Sequence, residues 1–358
     1  MTKVMIMAGG TGGHIFPAAA VAEKLVESGY QVRWLGSLNG MEGKLVPQMG
    51  YEFCGLPVTA WHGGRLRKLL APINLLRAFL GCCAIFLKEK PSAVIGFGGY
   101  ASAPGGVAAW VMRIPLILHE QNGVPGLTNK KLAAKASVVL QAFPNTFAED
   151  YEVVGNPVRA NLCEFQKPEL RGLASGRALK LLVLGGSQGA QAINELVPQA
   201  LPLCKAAAPV EIWHQAGKGK ADECLTAYKD AGVEATVVEF IDDMKAAYEW
   251  CDLVVARSGA ATVSELAAVG AYSILLPYPW HKDRQQFDNA DWLKQAGAAE
   301  WYEQKDLTAE ALAGRIDYWN KNRNELQQAS TRSWQLGVRD SARRILKVVQ
   351  EFLPEVAA

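Results

Sequence analysis

A chain of 358 residues, half of them apolar and one-fifth charged, can bury a large core, and its length favours two domains. The formal net charge of +2, with no long basic block, leaves nucleic acid no electrostatic footprint. The seven cysteines form no CxxC pair and no zinc-like Cys/His spacing, so they read as buried apolar residues in a reducing compartment, with no metal site expected.

Thr2 and Lys3 lead straight into a strand-like run, without a basic region, signal-type apolar segment or cleavage site, which predicts a cytoplasmic protein. The runs KVMIMA (3–8), QVRWLG (31–36), SAVIGFGG (92–99), PLILHEQN (115–122), SVVLQAF (137–143) and YEVVGNP (151–157) alternate with helix-like stretches. Such continuous Val, Ile and Leu content suits strands covered by helices on both faces. After a stretch punctuated by Pro and Gly, from Asn156 to Arg177, the pattern restarts with LKLLVLGG (179–186), VEIWHQAG (210–217), TVVEFI (236–241), DLVVARSG (252–259) and SILLPYP (273–279). The two halves open alike: VMIMAGGTGGH and LLVLGGSQGAQ share an apolar strand, a double glycine, a hydroxyl residue, another glycine and a helix. These patterns predict an α/β protein of two Rossmann-like domains facing a central cleft, residues 1–160 and 161–339, with a linker near Asn156 to Glu169. The last helix, about 340–358, is expected to pack back on the first domain.

A glycine-rich strand-to-helix turn lets a ligand approach the main chain, and the following helix offers free N–H groups and the positive end of its dipole. Phosphates or sugar oxygens are the natural guests. The first loop is not a nicotinamide fingerprint, since Ile15 stands where a third glycine is expected and QVRWLG lacks an acidic ribose-binding residue; no GxxxxGK[ST] occurs either. A tight βα turn is the structural alternative for each loop. With the third cluster GFGGYASAPGG (96–106), three open backbone sites suggest a ligand with several polar parts.

His14 stands at the glycine-rich helix start, where burial beside the helix dipole favours a neutral imidazole able to accept a proton; the alternative is a residue that only hydrogen-bonds the loop. In LHEQN, at a strand's C-terminal end, His119 reads as structural and Glu120 as a rival base. In RSGAATVSEL (257–266), Thr262 and Glu265 have capping-box spacing, or Glu265 accepts two hydroxyls of a ribose. In HKDRQQFDNA (281–290), Gln285 and Gln286 either sit on a solvated helix start or read sugar hydroxyls in both senses.

The ordered motifs MAGGTGGH, GGYASAPGG, LHEQNGVPGLTNK, VVGNPVR, GGSQGA, IWHQAGKG, FIDDM, RSGAATVSE and HKDRQQ span almost the whole chain. With them the chain resembles the family of UDP-N-acetylglucosamine transferases that make lipid II from undecaprenyl-pyrophosphoryl-N-acetylmuramoyl-pentapeptide in bacterial peptidoglycan synthesis. The resemblance implies the GT-B glycosyltransferase fold, inversion at the anomeric carbon and no obligatory metal or other cofactor. The first domain would face acceptor and membrane, and the second would bind UDP-N-acetylglucosamine. Ser187 would meet a phosphate, the backbone of Ile241 the uracil edge, and Glu265 the ribose. Ala260, Ala261, Thr262, Val263 and Ser264 would supply main-chain and hydroxyl contacts near sugar and phosphate, and Gln285 and Gln286 would read N-acetylglucosamine hydroxyls. Arg159 would close on the nucleotide, Thr11, Gly12, Gly13 and Asn122 would face the sugar, and Gly98, Gly99 and Tyr100 would lie on the acceptor side. His14, with Glu120 behind it, would be the catalytic base. Two departures stand out: Ala261 replaces a larger apolar residue, and PYPWHKD is one residue longer than the family form.

A lipid-linked acceptor needs a membrane contact, and RLRKLLAPINLLRAFLGCCAIFLKEK (65–90) offers one. Its longest apolar run, Ala78 to Leu87, is ten residues, too short to span a bilayer. Leu69, Ile73, Leu76 and Leu80 form a helical stripe with Phe79 beside it and basic residues around it, which suits a helix on an anionic membrane surface; the alternative is a core-facing stripe. Trp110 extends the patch. The location implied is the cytoplasmic face of the bacterial inner membrane, peripherally bound, with other cell-wall synthesis enzymes as partners. Two other classes share these features: a different UDP-sugar enzyme of the same fold, such as an epimerase, and a nucleotide-sugar-binding regulator.

Overall fold

Consecutive residues of the first strand, Lys3–Ala8 (β1), point to opposite faces of their sheet, and both faces are buried. In the computed structural model Val4, Ile6 and Ala8 join one apolar cluster while Met5 and Met7 join another. The structure describes residues 2–57, 65–173, 176–186, 188–205, 208–281 and 283–354, the side chains of 65–71 excepted. Double burial explains the near-continuous apolar runs, and it requires helices above and below.

The chain divides into two compact units, residues 1–159 with 340–358, and residues 160–339. The first unit holds Gln31–Ser37 (β2), Glu52–Leu56 (β3), Ala93–Gly98 (β4), Leu116–Glu120 (β5), Val138–Gln141 (β6) and Glu152–Val153 (β7) beside β1. They form a parallel sheet in the order β3-β2-β1-β4-β5-β6-β7. The second unit holds Leu179–Leu184 (β8), Val210–Gln215 (β9), Thr236–Val238 (β10), Leu253–Ala256 (β11), Tyr272–Leu275 (β12) and Ala299–Trp301 (β13). Its sheet, also parallel, runs β10-β9-β8-β11-β12-β13. In each, strand order reverses beside the first strand, the point where open α/β sheets receive ligands.

Two strands lie outside the apolar runs that the sequence offers, β3 and β13, and both are edge strands. An edge strand has less to bury: Glu52 is exposed, and Phe53, Cys54 and Gly55 are only half-buried. Of the seven cysteines, all free, Cys82, Cys224 and Cys251 are buried and the other four half-buried; burial pushes the Cys82 and Cys251 thiols up to about 12.

The helix Gly12–Glu27 covers one face of the first sheet through Ile15, Ala18, Val21, Ala22 and Leu25. Beside it lies the C-terminal helix Ser341–Gln350, whose Ile345 and Val349 enter the same cluster with Leu353. Ser341 Oγ donates to the Gly155 carbonyl at 2.9 Å and fastens that helix to the far end of the unit. The opposite face is covered by the helices Arg65–Glu89 and Ser102–Val111. In the second unit, Asp252 is fully buried and takes Arg177 in a paired contact at 2.6 and 2.9 Å and Arg323 at 2.8 Å.

Candidate active site

The loops after β1 and β4 meet backbone to backbone at the reversal of the first sheet. Gly98 and Gly99 have φ of +101° and +99°, and a Cβ on Gly99 would lie 2.6 Å from the Gly9 carbonyl oxygen. The helix Gly12–Glu27 starts from this contact with Thr11 as an extended N-cap whose side chain makes no capping bond, and no acidic residue lies in the first turn. Its first-turn amides are therefore left unclaimed by a side-chain cap.

His14, on that first turn, has its Nδ1 3.3 Å from Thr11 Oγ1. The ring edge carrying Cδ2 and Nε2 faces Gly98, where a Cβ would come within 3.2–3.3 Å. Burial pushes the His14 pKa below the usual histidine value, while the Glu120 charge, a hydrogen bond with the Gly9 backbone and the Glu42 charge pull it back. The structure thus brings together Thr11, Gly12, Gly13, His14, Gly98 and Gly99, with Tyr100 exposed at the next position.

Glu120 is 2% exposed, and its oxygens accept four N–H bonds: from Asn122 N and Nδ2 at 3.1 and 3.3 Å, Gly126 N at 3.0 Å and Asn129 Nδ2 at 2.9 Å. Its carboxylate therefore organises the 121–129 loop, and both N–H functions of Asn122 point inward to it. His119 is buried, bonds the Gly155 carbonyl through Nε2 at 2.9 Å, and has its pKa lowered by burial to about 4. Arg159 lies with its guanidinium 5.7 Å from the centre of the Phe16 ring.

Glu42 escapes the sequence reading. It is 2% exposed and accepts from Gly10 N at 3.1 Å and Ser37 N at 2.9 Å, directly under the first glycine loop. A Cβ on Gly9, Gly36 or Gly40 would overlap its side chain. The only signal in the sequence is its place between Gly40 and Gly43.

In the second unit, Ser187 lies outside the described residues. Asn194, on the helix Gln191–Ala200, donates through Nδ2 to the Ala216 carbonyl at 2.9 Å in the turn after β9, and His214 Nε2 lies 3.1 Å from Asn194 Oδ1. Burial lowers the His214 pKa to about 3, so this imidazole is neutral. Lys220 Nζ donates to the Gly189 carbonyl at 2.9 Å. Ile241 N donates to Gln215 Oε1 at 3.0 Å, so one of the two backbone groups expected to meet uracil already has a partner.

The helix Ala260–Val269 starts at an extended Gly259 with no side-chain cap. Thr262 and Glu265 therefore lie inside the helix and form no capping box. Ala260, Val263 and Ser264 are buried, which limits them to main-chain contacts, while Ala261, Thr262 and Glu265 are half-buried on the open side. Gln286 Oε1 accepts from Tyr278 N at 2.9 Å, and Gln285 Nε2 meets His281 Nδ1 at 2.6 Å. Each glutamine thus spends one end of its amide on the loop before it. Asn289 Nδ2 and Ser258 Oγ, donating at 3.1 and 2.7 Å, tie that helix to the RSG turn.

The apolar stripe lies on the helix Arg65–Glu89 of the first unit. Ile73, Leu76 and Leu80 are each 56% exposed, and Trp110, on the neighbouring helix, is 49% exposed with Lys135 Nζ 4.1 Å from its ring centre. Phe79 is half-buried and packs on the core, where Ala78, Cys82 and Phe86 form the inward face. Leu75, Leu87 and Val111 are exposed as well. The Leu69 side chain lies outside what is described. Among the described residues, no helix is long and apolar enough to cross a membrane, and no group of three or more His, Cys, Asp or Glu is placed to hold a metal ion.

Residues 4–141 match the model of the glycosyltransferase family 28 N-terminal domain and residues 180–345 that of its C-terminal domain. The chain belongs to glycosyltransferase family 28. It is 44% identical over 356 residues, 98% of this chain and 97% of the other, to the UDP-N-acetylglucosamine--N-acetylmuramyl-(pentapeptide) pyrophosphoryl-undecaprenol N-acetylglucosamine transferase of Shewanella denitrificans. To the Aliivibrio salmonicida protein of the same name it is 48% identical over 317 residues, 88% of each chain. The crystal structure of Acinetobacter baumannii MurG superposes with a TM-score of 0.86 at 34% identity, covering 98% of this chain and 100% of that one. The fold is therefore GT-B, two parallel α/β units.

Replacing Glu42 by Gln sets an amide N–H against one of the two backbone N–H groups it serves. Chemical denaturation should register a loss of about 1–3 kcal/mol. An unchanged midpoint would mean that the carboxylate does not hold the loop.

Proposed function

We infer that this chain transfers N-acetylglucosamine from UDP-N-acetylglucosamine to the 4-hydroxyl of undecaprenyl-pyrophosphoryl-N-acetylmuramoyl-pentapeptide, giving lipid II and UDP. The observation that carries the reading is the 44% identity over 356 residues to a transferase of that name. The residues agree with it: glycine-lined helix starts lie at the reversal of both sheets, and an imidazole stands beside the first.

The second unit, 160–339, takes the donor: the Ser187 turn and the start of the Ala260–Val269 helix take the diphosphate, the Ile241 backbone the uracil, Glu265 the ribose, and Gln285 and Gln286 the sugar. Gln285 offers Oε1 as an acceptor and Gln286 offers Nε2 as a donor, the ends not held by the loop. The first unit carries the acceptor, with Gly98, Gly99 and Tyr100 on that side. The reaction is a single displacement: the muramoyl 4-hydroxyl attacks the anomeric carbon, its proton passes to His14, and UDP leaves from the opposite face with inversion. His14 is the base because its imidazole is neutral at pH 7, whereas the Glu120 carboxylate is committed to four N–H donors. Glu120 then contributes charge, favouring the imidazolium as it forms.

The exposed face of the Arg65–Glu89 helix, with Trp110, rests on anionic lipid, so the protein works peripherally at the cytoplasmic face of the inner membrane.

UDP release measured with and without a short-chain lipid-linked muramoyl-pentapeptide should depend on the acceptor and match disaccharide formation. Release or isomerisation without acceptor would point instead to another UDP-sugar enzyme, and tight UDP binding with neither to a regulator.

His14→Ala should lower turnover by about 10²–10⁴-fold. In the unaltered protein kcat/KM should fall as pH drops through the His14 pKa, which places the acid limb below about 6.5. The base is misassigned if this limb survives in His14→Ala and vanishes in Glu120→Gln.

Ile73→Asp with Leu80→Asp should weaken sedimentation with phosphatidylglycerol vesicles at least about tenfold, since burying one such side chain contributes about 1.5–3 kcal/mol. Turnover of a soluble acceptor analogue should be unaffected. Undiminished vesicle binding would take this face off the membrane.

A further inference from the structure

We infer that Tyr248 is a positioning residue for nucleotide recognition: its buried phenol holds the Glu265 carboxylate in the orientation that accepts the ribose hydroxyls. The inference rests on the reading of Glu265 as the ribose contact and adds what aims it.

Tyr248 lies on the helix Met244–Trp250 and is fully buried, and its hydroxyl donates to Glu265 Oε2 at 3.1 Å. The helix itself is anchored at both ends. Asp243 caps its start by accepting from Ala246 N at 3.0 Å. At its end Arg171 donates to the carbonyls of Tyr248 at 2.7 Å, Cys251 at 3.0 Å and Val269 at 2.9 Å. Val269 closes the helix that carries Glu265, so one guanidinium ties the phenol's helix to the carboxylate's helix. Tyr248 has no freedom to follow a moving carboxylate.

A glutamate on an open helix face samples several rotamers, and fixing it on binding costs side-chain entropy. A phenol that donates from a rigid core removes that cost beforehand, which is preorganisation. It also leaves the carboxylate acceptor-only, the state that matches the two hydroxyl donors of a ribose diol. Ile241, the proposed uracil contact, precedes the same helix by three positions. Base and ribose recognition therefore rest on one short anchored segment. Sequence spacing did not reveal this, because Tyr248 in KAAYEW has the look of an ordinary core aromatic.

The test is titration calorimetry of the full chain with UDP and with 2′,3′-dideoxy-UDP. Tyr248→Phe keeps the buried ring and removes only the donor. UDP affinity should fall about tenfold, the scale of one hydrogen bond to a charged group, while 2′,3′-dideoxy-UDP affinity stays within about twofold. In a Glu265→Ala background the same change should cost UDP affinity nothing further. A general packing role would weaken both nucleotides alike, so equal losses overturn the inference, as does unchanged UDP affinity or full additivity in the double variant. If Glu265→Ala itself fails to separate the two nucleotides, the ribose reading falls and takes this inference with it. If Glu265→Ala separates them and Tyr248→Phe does not, only the inference falls.

Discussion

Everything at the candidate site of the first unit depends on a contact that permits no side chain. Parallel strands β1 and β4 end side by side, and their loops leave the sheet at the same level, so the Gly99 Cα faces the Gly9 backbone. A Cβ at Gly99 would drive the loops apart, and one at Gly9 would displace the Glu42 carboxylate beneath them. The register of β1 and β4 shifts between Met7 and Ala8, which brings the two turns into step. That contact starts the Gly12–Glu27 helix where it does and sets His14 against Gly98.

The second unit solves the same problem with other atoms. A Cβ on Gly189 would overlap the Ala216 carbonyl, and one on Gly217 would overlap Gly189, so the turns after β8 and β9 are again backbone to backbone. Both units pair a glycine turn that excludes side chains with a buried polar group beneath it. In the first that group is the Glu42 carboxylate; in the second it is the Asn194 amide braced by His214. The weak sequence repeat is thus a repeat of a steric solution, with its supporting chemistry free to differ.

How much of this could be read in the sequence follows from which forces leave periodic marks. Doubly buried central strands write themselves as apolar runs, and β1, β4, β5, β8 and β11 were all visible. Of the four edge strands, β7 and β10 lay within such runs and β3 and β13 did not. The glycine turns and His14 were legible because steric exclusion and a lone imidazole at a helix start are local facts. Glu42, Gln215, Asn194 and Tyr248 were not, since each acts across a fold contact: Glu42 reaches back to Gly10, and Tyr248 forward to Glu265. RSGAATVSEL misled in one respect, because capping-box spacing between Thr262 and Glu265 carries no information about where the helix begins. Gly259, with an extended backbone, begins it.

The supporting chemistry of the two turns differs in charge. A buried carboxylate 3.1 Å from Gly10 N sits under the first loop, with Glu120 also acting on His14. A diphosphate brought there would meet like charge in a medium that screens it poorly. The same two carboxylates favour an imidazolium, so they suit a loop where a proton is accepted. Under the second loop the imidazole and amide are neutral, and the Lys220 ammonium stands 2.9 Å from the Gly189 carbonyl. The support there is helix amides and a cation, with the exposed Glu239 carboxylate accepting from Gly219 N at 2.8 Å beside them. The two glycine turns thus stand on supports of different charge: a buried carboxylate under the first, and a neutral amide and imidazole with a lysine beside the second.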